Sequence, residues 1–435
     1  MERFALSRMK EWKETENRKP LIIRGARQVG KTWIMKTFGQ QYFEKTAYVN
    51  FDNNARMKQV FEGDLDIERL VLAISAETGV SIEAENTLII FDEIQEVPKA
   101  LTSLKYFHEN APQYAIVAAG SLLGVALHQG TSFPVGKVDF LDLYPLNFRE
   151  FLCAMGEKQF VSMLDSCDTQ MVTVFKTKYI ERLREYYFVG GMPEVVKDFS
   201  EKKDYNRVRV IQKNLINYYQ QDFSKHAEIK LVPRLNLVWN SIPMQLAKEN
   251  KKYIYGQVRE GSRAKDFELA IQWLLDCGLI HKVQRIQKPD LPLKAYIDFD
   301  AFKLFLVDIG LLIAMTDLDA KVIIEGNKIF TEFKGALTEQ YILQQLISDV
   351  GVIPYYYSTQ NSKGEIDFLV QGKTSVIPIE VKAEENLKAK SLKAFCEKYQ
   401  PSYAVRTSMS DYREQDWMTN IPLYAIKWIE NYVNQ

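Results

Sequence analysis

Four short stretches in the first 121 residues carry apolar side chains at nearly every position. They are Leu21-Ile22-Ile23, Ala47-Tyr48-Val49-Asn50-Phe51, Thr87-Leu88-Ile89-Ile90-Phe91 and Tyr114-Ala115-Ile116-Val117-Ala118-Ala119. Between them, helical periodicity runs over about 31–38, 66–78 and 98–109. Strands that are apolar on both faces and alternate with helices predict a parallel sheet covered on both sides. A short amphipathic helix over 2–14, with Phe4, Leu6, Met9 and Trp12 as apolar members, precedes the first strand. Beyond 121 the alternation stops. Residues 148–225 read as helical, interrupted at Tyr187-Phe188-Val189-Gly190-Gly191-Met192-Pro193-Glu194.

Further along, helices at about 233–248 and 264–276 precede two alternating stretches, Leu279–Val283 and Leu293–Ile297, set around Pro289 and Pro292. Helices followed by a small hairpin predict a winged-helix-like module, a shape that binds DNA in some proteins and other proteins elsewhere. Its second helix, with Lys265, Asp266 and Glu268, is not notably basic. His281, on the first of those strands, reads as a surface or core residue. A helix at about 331–348 then leads to two strands, 364–370 and 376–382, joined by Gln371-Gly372-Lys373-Thr374.

The first chemistry appears where the first strand ends. Gly25-Ala26-Arg27-Gln28-Val29-Gly30-Lys31-Thr32 fits the phosphate-binding pattern G-x-x-x-x-G-K-[ST] at every position. Glycines let backbone amides turn inward around phosphates, and the following helix offers its positive end. Lys31 is expected to reach the β- and γ-phosphates, and the Thr32 hydroxyl to ligate Mg²⁺. Ligands of parallel sheets bind at the carboxyl ends of the strands, where Asp92, Glu93 and Ser121 also fall. Asp92 is expected to hold Mg²⁺ through water, and Glu93 to orient and deprotonate an attacking water. The same two acids would also serve to cap the helix near 98. Ser121 is either a sensor of the γ-phosphate or part of a Gly-Ser turn. Lys137 and Arg149 are either cations for a neighbouring γ-phosphate or solvated charges.

A second constellation lies in the last hundred residues. Glu339 has Gly335, Ala336, Ile342 and Leu343 three and four positions away, which places its carboxylate at or beside a packed face. Asp367 and Glu380 lie on the two strands that follow. Closing the hairpin at 370 and 375 would make them diagonal neighbours on one face, able to grip one divalent ion, with Lys382 beside it. Alternating charges on a polar outer strand face would produce the same spelling.

Composition narrows the rest. At 435 residues the chain is long enough for two or three domains, because single cores stop growing well short of that. Lys and Arg total 56, as do Asp and Glu, so nucleic-acid or membrane binding can only be local. Cys153, Cys167, Cys277 and Cys396 are scattered, which argues against zinc and a disulfide framework and fits a reducing cytoplasm. The charged N-terminus is unlike a signal peptide, and no apolar run reaches membrane-spanning length. A cytoplasmic location is expected.

Taken together, RGARQVGKT, IIFDEIQ, AAGSLLG, LYPLNFREFL, VGGMPEVV and FKLFLVDIGLL, in that order, resemble bacterial and archaeal AAA-type P-loop ATPases with an uncharacterised C-terminal domain. The resemblance implies ATP at Gly25–Thr32, Asp92 and Glu93 as the Walker B acids, and Ser121 at a sensor-like position. Many members have Arg where this chain has Lys137, so an arginine-finger role would be weakened or moved, with Arg149 as the alternative. GEIDFLV…IPIEVK is similar to the PD-(D/E)XK nuclease core. That likeness implies Glu339, Asp367 and Glu380 as ligands of a second Mg²⁺ or Mn²⁺ and Lys382 as the catalytic lysine. Lys388, Lys390 and Lys393 would meet phosphates or form a solvated helix face.

The expected fold is α/β. A parallel-sheet P-loop NTPase domain occupies 1–145, a helical region 146–225, a winged-helix-like module 226–315 and a nuclease-like α/β domain 316–435. The expected activity is Mg²⁺-dependent ATP hydrolysis coupled to a DNA-related C-terminal module. The alternatives are a nucleotide-regulated, metal-dependent DNA nuclease, or a non-enzymatic nucleotide switch that binds a protein partner.

Overall fold

The computed structural model describes residues 1–120, 124, 133–248, 251–325, 331–359, 364–383 and 389–435. The chain divides into two compact units. One comprises residues 2–144 with 276–279; the other comprises Met1, 145–275 and 280–435.

The first unit is built on a five-stranded, wholly parallel sheet of order β2-β3-β4-β1-β5. Its strands are β1 (Leu21–Arg24), β2 (Lys45–Asn50), β3 (Thr87–Asp92), β4 (Ala115–Ala119) and β5 (Asp139–Asp142). β3 and β4 are buried at every position, as their unbroken apolar spelling requires. The helices between them start and stop on local chemistry. Asn54 caps Ala55–Glu62 and Asp66 caps Ile67–Thr78 by accepting backbone amides, and Gly79 ends the latter in a left-handed conformation. Pro98 opens Pro98–Asn110. Edge-to-face contacts of Phe91 with Phe51, Phe61 and Phe107, at 5.4, 5.7 and 6.5 Å between centroids, fill one side of the sheet.

The alternation expected to end near 121 resumes in β5, which pairs in parallel with β1 from Leu21↔Asp139 to Arg24↔Asp142. An edge strand with one open side needs no continuous apolar run, and Asp-Phe-Leu-Asp has none. Helix Ala55–Glu62 was likewise not marked by the pattern.

In the second unit, helices Lys176–Val189 and Pro193–Lys202 flank the Gly190-Gly191-Met192 break, and Tyr205–His226 follows. An eight-stranded mixed sheet of order β12-β13-β11-β10-β9-β8-β6-β7 completes the unit. Its strands are β6 (Ile280–Ile286), β7 (Ile297–Leu306), β8 (Tyr355–Ser358), β9 (Glu365–Gln371), β10 (Val376–Val381), β11 (Val405–Ser408), β12 (Arg413–Gln415) and β13 (Met418–Pro422).

Two expectations are corrected here. The second strand of the supposed wing begins at Ile297, and Leu293–Tyr296 is a 3₁₀ turn instead. The pair β6–β7 is also not a free wing, because β6 bonds in parallel to β8 and so joins the C-terminal sheet. Once its other edge is paired with β7, β6 satisfies its remaining backbone groups against β8.

Helix Thr331–Gln345 is tied to this sheet through Gln340. Gln340 exchanges two hydrogen bonds with the Leu306 backbone, at 3.0 and 2.7 Å, and so completes the edge strand β7. Among the described residues no helix is long and apolar enough to cross a membrane.

Candidate functional site

The loop after β1 takes its shape from three positive-φ residues: Gly25 at 147°, Gln28 at 65° and Gly30 at 96°. At Gly25 a side chain is excluded twice over, since a Cβ there would also stand 2.2 Å from the Leu143 carbonyl oxygen. Gly30 is the N-cap of helix Lys31–Tyr42, so the loop delivers the helix's positive end to the strand tips. The amides of Gln28, Val29 and Gly30 meet no protein acceptor among the described residues. That leaves three backbone donors of a positive-φ loop available to an anion.

Lys31 is buried, and its ammonium donates to the Gly25 and Ala26 carbonyls at 2.8 and 2.7 Å. Burial lowers its pKa to about 8, with Glu93 and Asp92 opposing that fall and Arg27 reinforcing it. It is therefore charged at pH 7, and its bonds to loop carbonyls are of a kind that a phosphate oxygen can replace.

Asp92 closes β3 and is buried. Its Oδ2 accepts from Thr32 Oγ1 at 2.7 Å and from the Tyr48 hydroxyl at 2.9 Å, while Oδ1 accepts from the Glu93 amide at 3.1 Å. Hydroxyl and carboxylate side by side are the donor set that a nucleotide-bound Mg²⁺ requires. Glu93 follows in a left-handed conformation, φ 52° and ψ 44°, uncommon for a residue with a side chain. Its Oε2 accepts from Gln95 Nε2 at 2.7 Å. The helix-capping alternative for the acids is not what is seen, since helix Pro98–Asn110 has no side-chain cap.

At the C-terminal constellation the structure gathers a different set from the one the resemblance implies. Lys303, on β7 and fully buried, lies 3.5 Å from Glu339 Oε2 and pairs with Glu365, while Lys251 pairs with Glu339. Burial would lower the Lys303 ammonium, but Glu339, Glu365 and Asp367 together hold it above the ordinary lysine range. Burial and Glu339 push Asp367 up to about 7, and its Oδ2 accepts from the Val381 amide at 2.7 Å. Glu380 pairs with Lys382 at 2.6 Å and accepts from the Leu392 amide at 3.3 Å.

The hairpin register differs from the expected one. β9 and β10 pair from Val376↔Gln371 to Ile379↔Phe368, which carries Glu380 opposite Asp367 rather than diagonal to it. The β8–β9 register also slips between Tyr355↔Leu369 and Tyr357↔Ile366, an irregularity in β9 on which Asp367 falls. Among the described residues no group of three or more His, Cys, Asp or Glu stands ready to hold a metal.

Comparison with known proteins bears on each part. Residues 17–152 match the AAA domain family. That match covers the whole loop, both acids and the five-stranded sheet. The N-terminal unit has a P-loop NTPase fold and carries the AAA domain match. Residues 180–322 and 334–426 match two separate domains of unknown function. Among solved structures, the Walker-type ATPase of Pyrococcus abyssi is similar at 15% identity and a TM-score of 0.44, over 72% of this chain and 95% of that one. The Aeropyrum pernix ORC1 protein in complex with DNA is similar at 13% and 0.27, over 72% and 91%. Drosophila ORC bound to DNA gives 12% and 0.26, over 69% and 90%. No curated protein matches the chain.

The structure brings the expected Thr32, Asp92 and Glu93 together, and adds contacts that the sequence did not mark. Arg3 is buried and donates to the Val29 carbonyl at 3.0 Å and the Tyr144 carbonyl at 2.6 Å. Tyr48 and Gln95 bond the two acids. No motif marks Arg3 or Tyr48, because each acts through a fold contact and not through spacing in the chain, whereas Gln95 closes IIFDEIQ two residues beyond Glu93. Ser121, the expected sensor, lies outside the described residues, as does Lys388. Lys137 forms an ion pair with Glu109 at 3.0 Å. Arg149 is held by Asp349 at 2.9 Å and by Asp165, so its charge already serves the packing of the second unit.

Proposed function

We propose that the AAA domain is an Mg²⁺-dependent ATPase in which each charged residue of the site has a separate task. The loop amides and Lys31 hold the β- and γ-phosphates. Thr32 and Asp92 would hold the ion, whose positive charge would offset the negative charge of the phosphates. Glu93 takes the proton of the attacking water. The observation that carries this reading is the 2.7 Å bond between Thr32 Oγ1 and Asp92 Oδ2, which joins the two halves of the site. Lys31→Ala is expected to abolish phosphate release by removing the phosphate-binding cation. Glu93→Gln should retain ATP binding while phosphate release falls about 10²–10⁴-fold, the range for loss of a general base. Full turnover in Glu93→Gln would remove that residue from the mechanism.

The output of this ATPase is proposed to be a DNA-related function of the C-terminal strands. Support for it is the likeness of GEIDFLV…IPIEVK to a nuclease core. Lys251 and Lys303 already pair with Glu339 and Glu365, which favours a module that does not cleave. A second reading, a nucleotide-regulated nuclease using Glu339, Asp367, Glu380 and Lys382 with Mg²⁺ or Mn²⁺, draws support from the placing of Glu339 beside Asp367. It requires plasmid cleavage that is lost in both Asp367→Ala and Lys382→Ala. Phosphate release without cleavage by the wild type favours the first reading.

A further inference from the structure

Asp92 is fixed by more donors than its motif supplies. Thr32 belongs to the phosphate loop, and the Glu93 amide is the next peptide in the chain. Tyr48 belongs to neither. It lies on β2, where it pairs with Ile90 two positions before Asn50 meets Asp92, and its hydroxyl reaches along the strand to Asp92 Oδ2 at 2.9 Å. Its ring is held in turn, with the Lys36 ammonium 3.8 Å from the ring centroid. Because a carboxylate oxygen only accepts, the Tyr48 hydroxyl is the donor in this bond.

We propose that Tyr48 is a positioning residue of the nucleotide site, fixing the Asp92 carboxylate in the orientation in which Oδ2 meets the Thr32 hydroxyl. This rests on the reading of Thr32 and Asp92 as the residues that hold Mg²⁺. A carboxylate at a strand end turns freely about two side-chain bonds, and each orientation lost on binding a cation weakens that binding. Thr32 is itself a ligand of the ion and is a poor brace for its partner. Tyr48 braces Asp92 from the adjacent strand and takes no part in ligation.

The test is ATP affinity of the full chain, measured by calorimetry with and without Mg²⁺, alongside the Mg²⁺ concentration for half-maximal enhancement. Tyr48→Phe removes one oxygen and keeps the ring under Lys36. Its metal-free affinity should stay within about twofold of wild type, while half-saturating Mg²⁺ should rise about tenfold, the scale of one hydrogen bond to a charged group. Unchanged Mg²⁺ dependence in Tyr48→Phe, whatever its melting temperature, overturns the proposal. If that variant does not fold, Tyr48→Gln and Tyr48→Met give the same comparison in side chains of similar shape. Gln keeps a donor and should need less Mg²⁺ than Met; equal requirements overturn the proposal. A wild type whose ATP binding ignores Mg²⁺ overturns the metal reading itself, and the proposal with it.

Discussion

Lys31 carries its charge in a buried position, and that sets a pH dependence for the site. Free Lys31 titrates at about 8, and phosphate oxygens placed beside it would raise that value. Binding therefore takes up a proton once the solution is above about pH 8, and affinity falls as pH rises. Below pH 7 this group contributes no slope. Calorimetric titration with ATP at fixed Mg²⁺ should show constant affinity near neutrality and a loss approaching tenfold per pH unit above about 8. Arg3 acts on the same loop from outside it. Because a trans peptide points its C=O and N–H in opposite directions, holding the Val29 carbonyl aims the Gly30 amide away from Arg3. Arg3→Ala should weaken ATP binding about tenfold by losing that orientation, a change read by the same titration.

At the scale of elements, the second unit turns on a contact between a glycine pair and a buried acid. Asp308 caps helix Ile309–Met315 by accepting the Leu311 amide at 3.1 Å, and its other oxygen accepts the Gly191 amide at 2.6 Å. A Cβ at Gly190, φ 73°, would stand 2.2 Å from Asp308 Oδ1, which explains the glycine in VGGMPEVV and the aspartate in FKLFLVDIGLL together. Gly190→Ala is expected to destabilise the unit by on the order of 3 kcal/mol in denaturant titration.

Burial raises Asp308 from about 3.8 to about 6. Its proton is bound more tightly in the folded state, so the associated stability is complete below about pH 4 and is lost as pH rises through 6. Asp308→Asn should flatten the stability profile across that window.

How far the sequence could be read follows the same physical divisions. Strands buried on both faces and the phosphate loop were legible because their demands are local. β5 was not, since an edge strand tolerates a polar spelling. The β9–β10 register depended on where the turn closed, and its irregularity at Asp367 has no local signal. Arg3 and Tyr48 meet the site only through the fold, so chain spacing could not announce them.

For the whole molecule, two units with separate sheets carry separate chemistry. The N-terminal one has the complete phosphate-loop set on an AAA domain, while in the C-terminal one Lys251 and the buried Lys303 already pair with Glu339 and Glu365. With equal numbers of basic and acidic residues, any DNA contact must come from a local patch and should weaken steeply with salt. Incubation with plasmid and Mg²⁺ or Mn²⁺ is expected to leave the DNA intact. Cleavage that disappears in both Asp367→Ala and Lys382→Ala would reverse that assignment.

Phosphate release is the direct test of whether Lys31, Thr32, Asp92 and Glu93 form one hydrolytic site. With ATP and Mg²⁺, the wild type should release phosphate, Lys31→Ala should release none, and Glu93→Gln should bind ATP as tightly as wild type while turning over at least a hundredfold more slowly. Undiminished release by Lys31→Ala, or by Glu93→Gln with ATP bound, would contradict it.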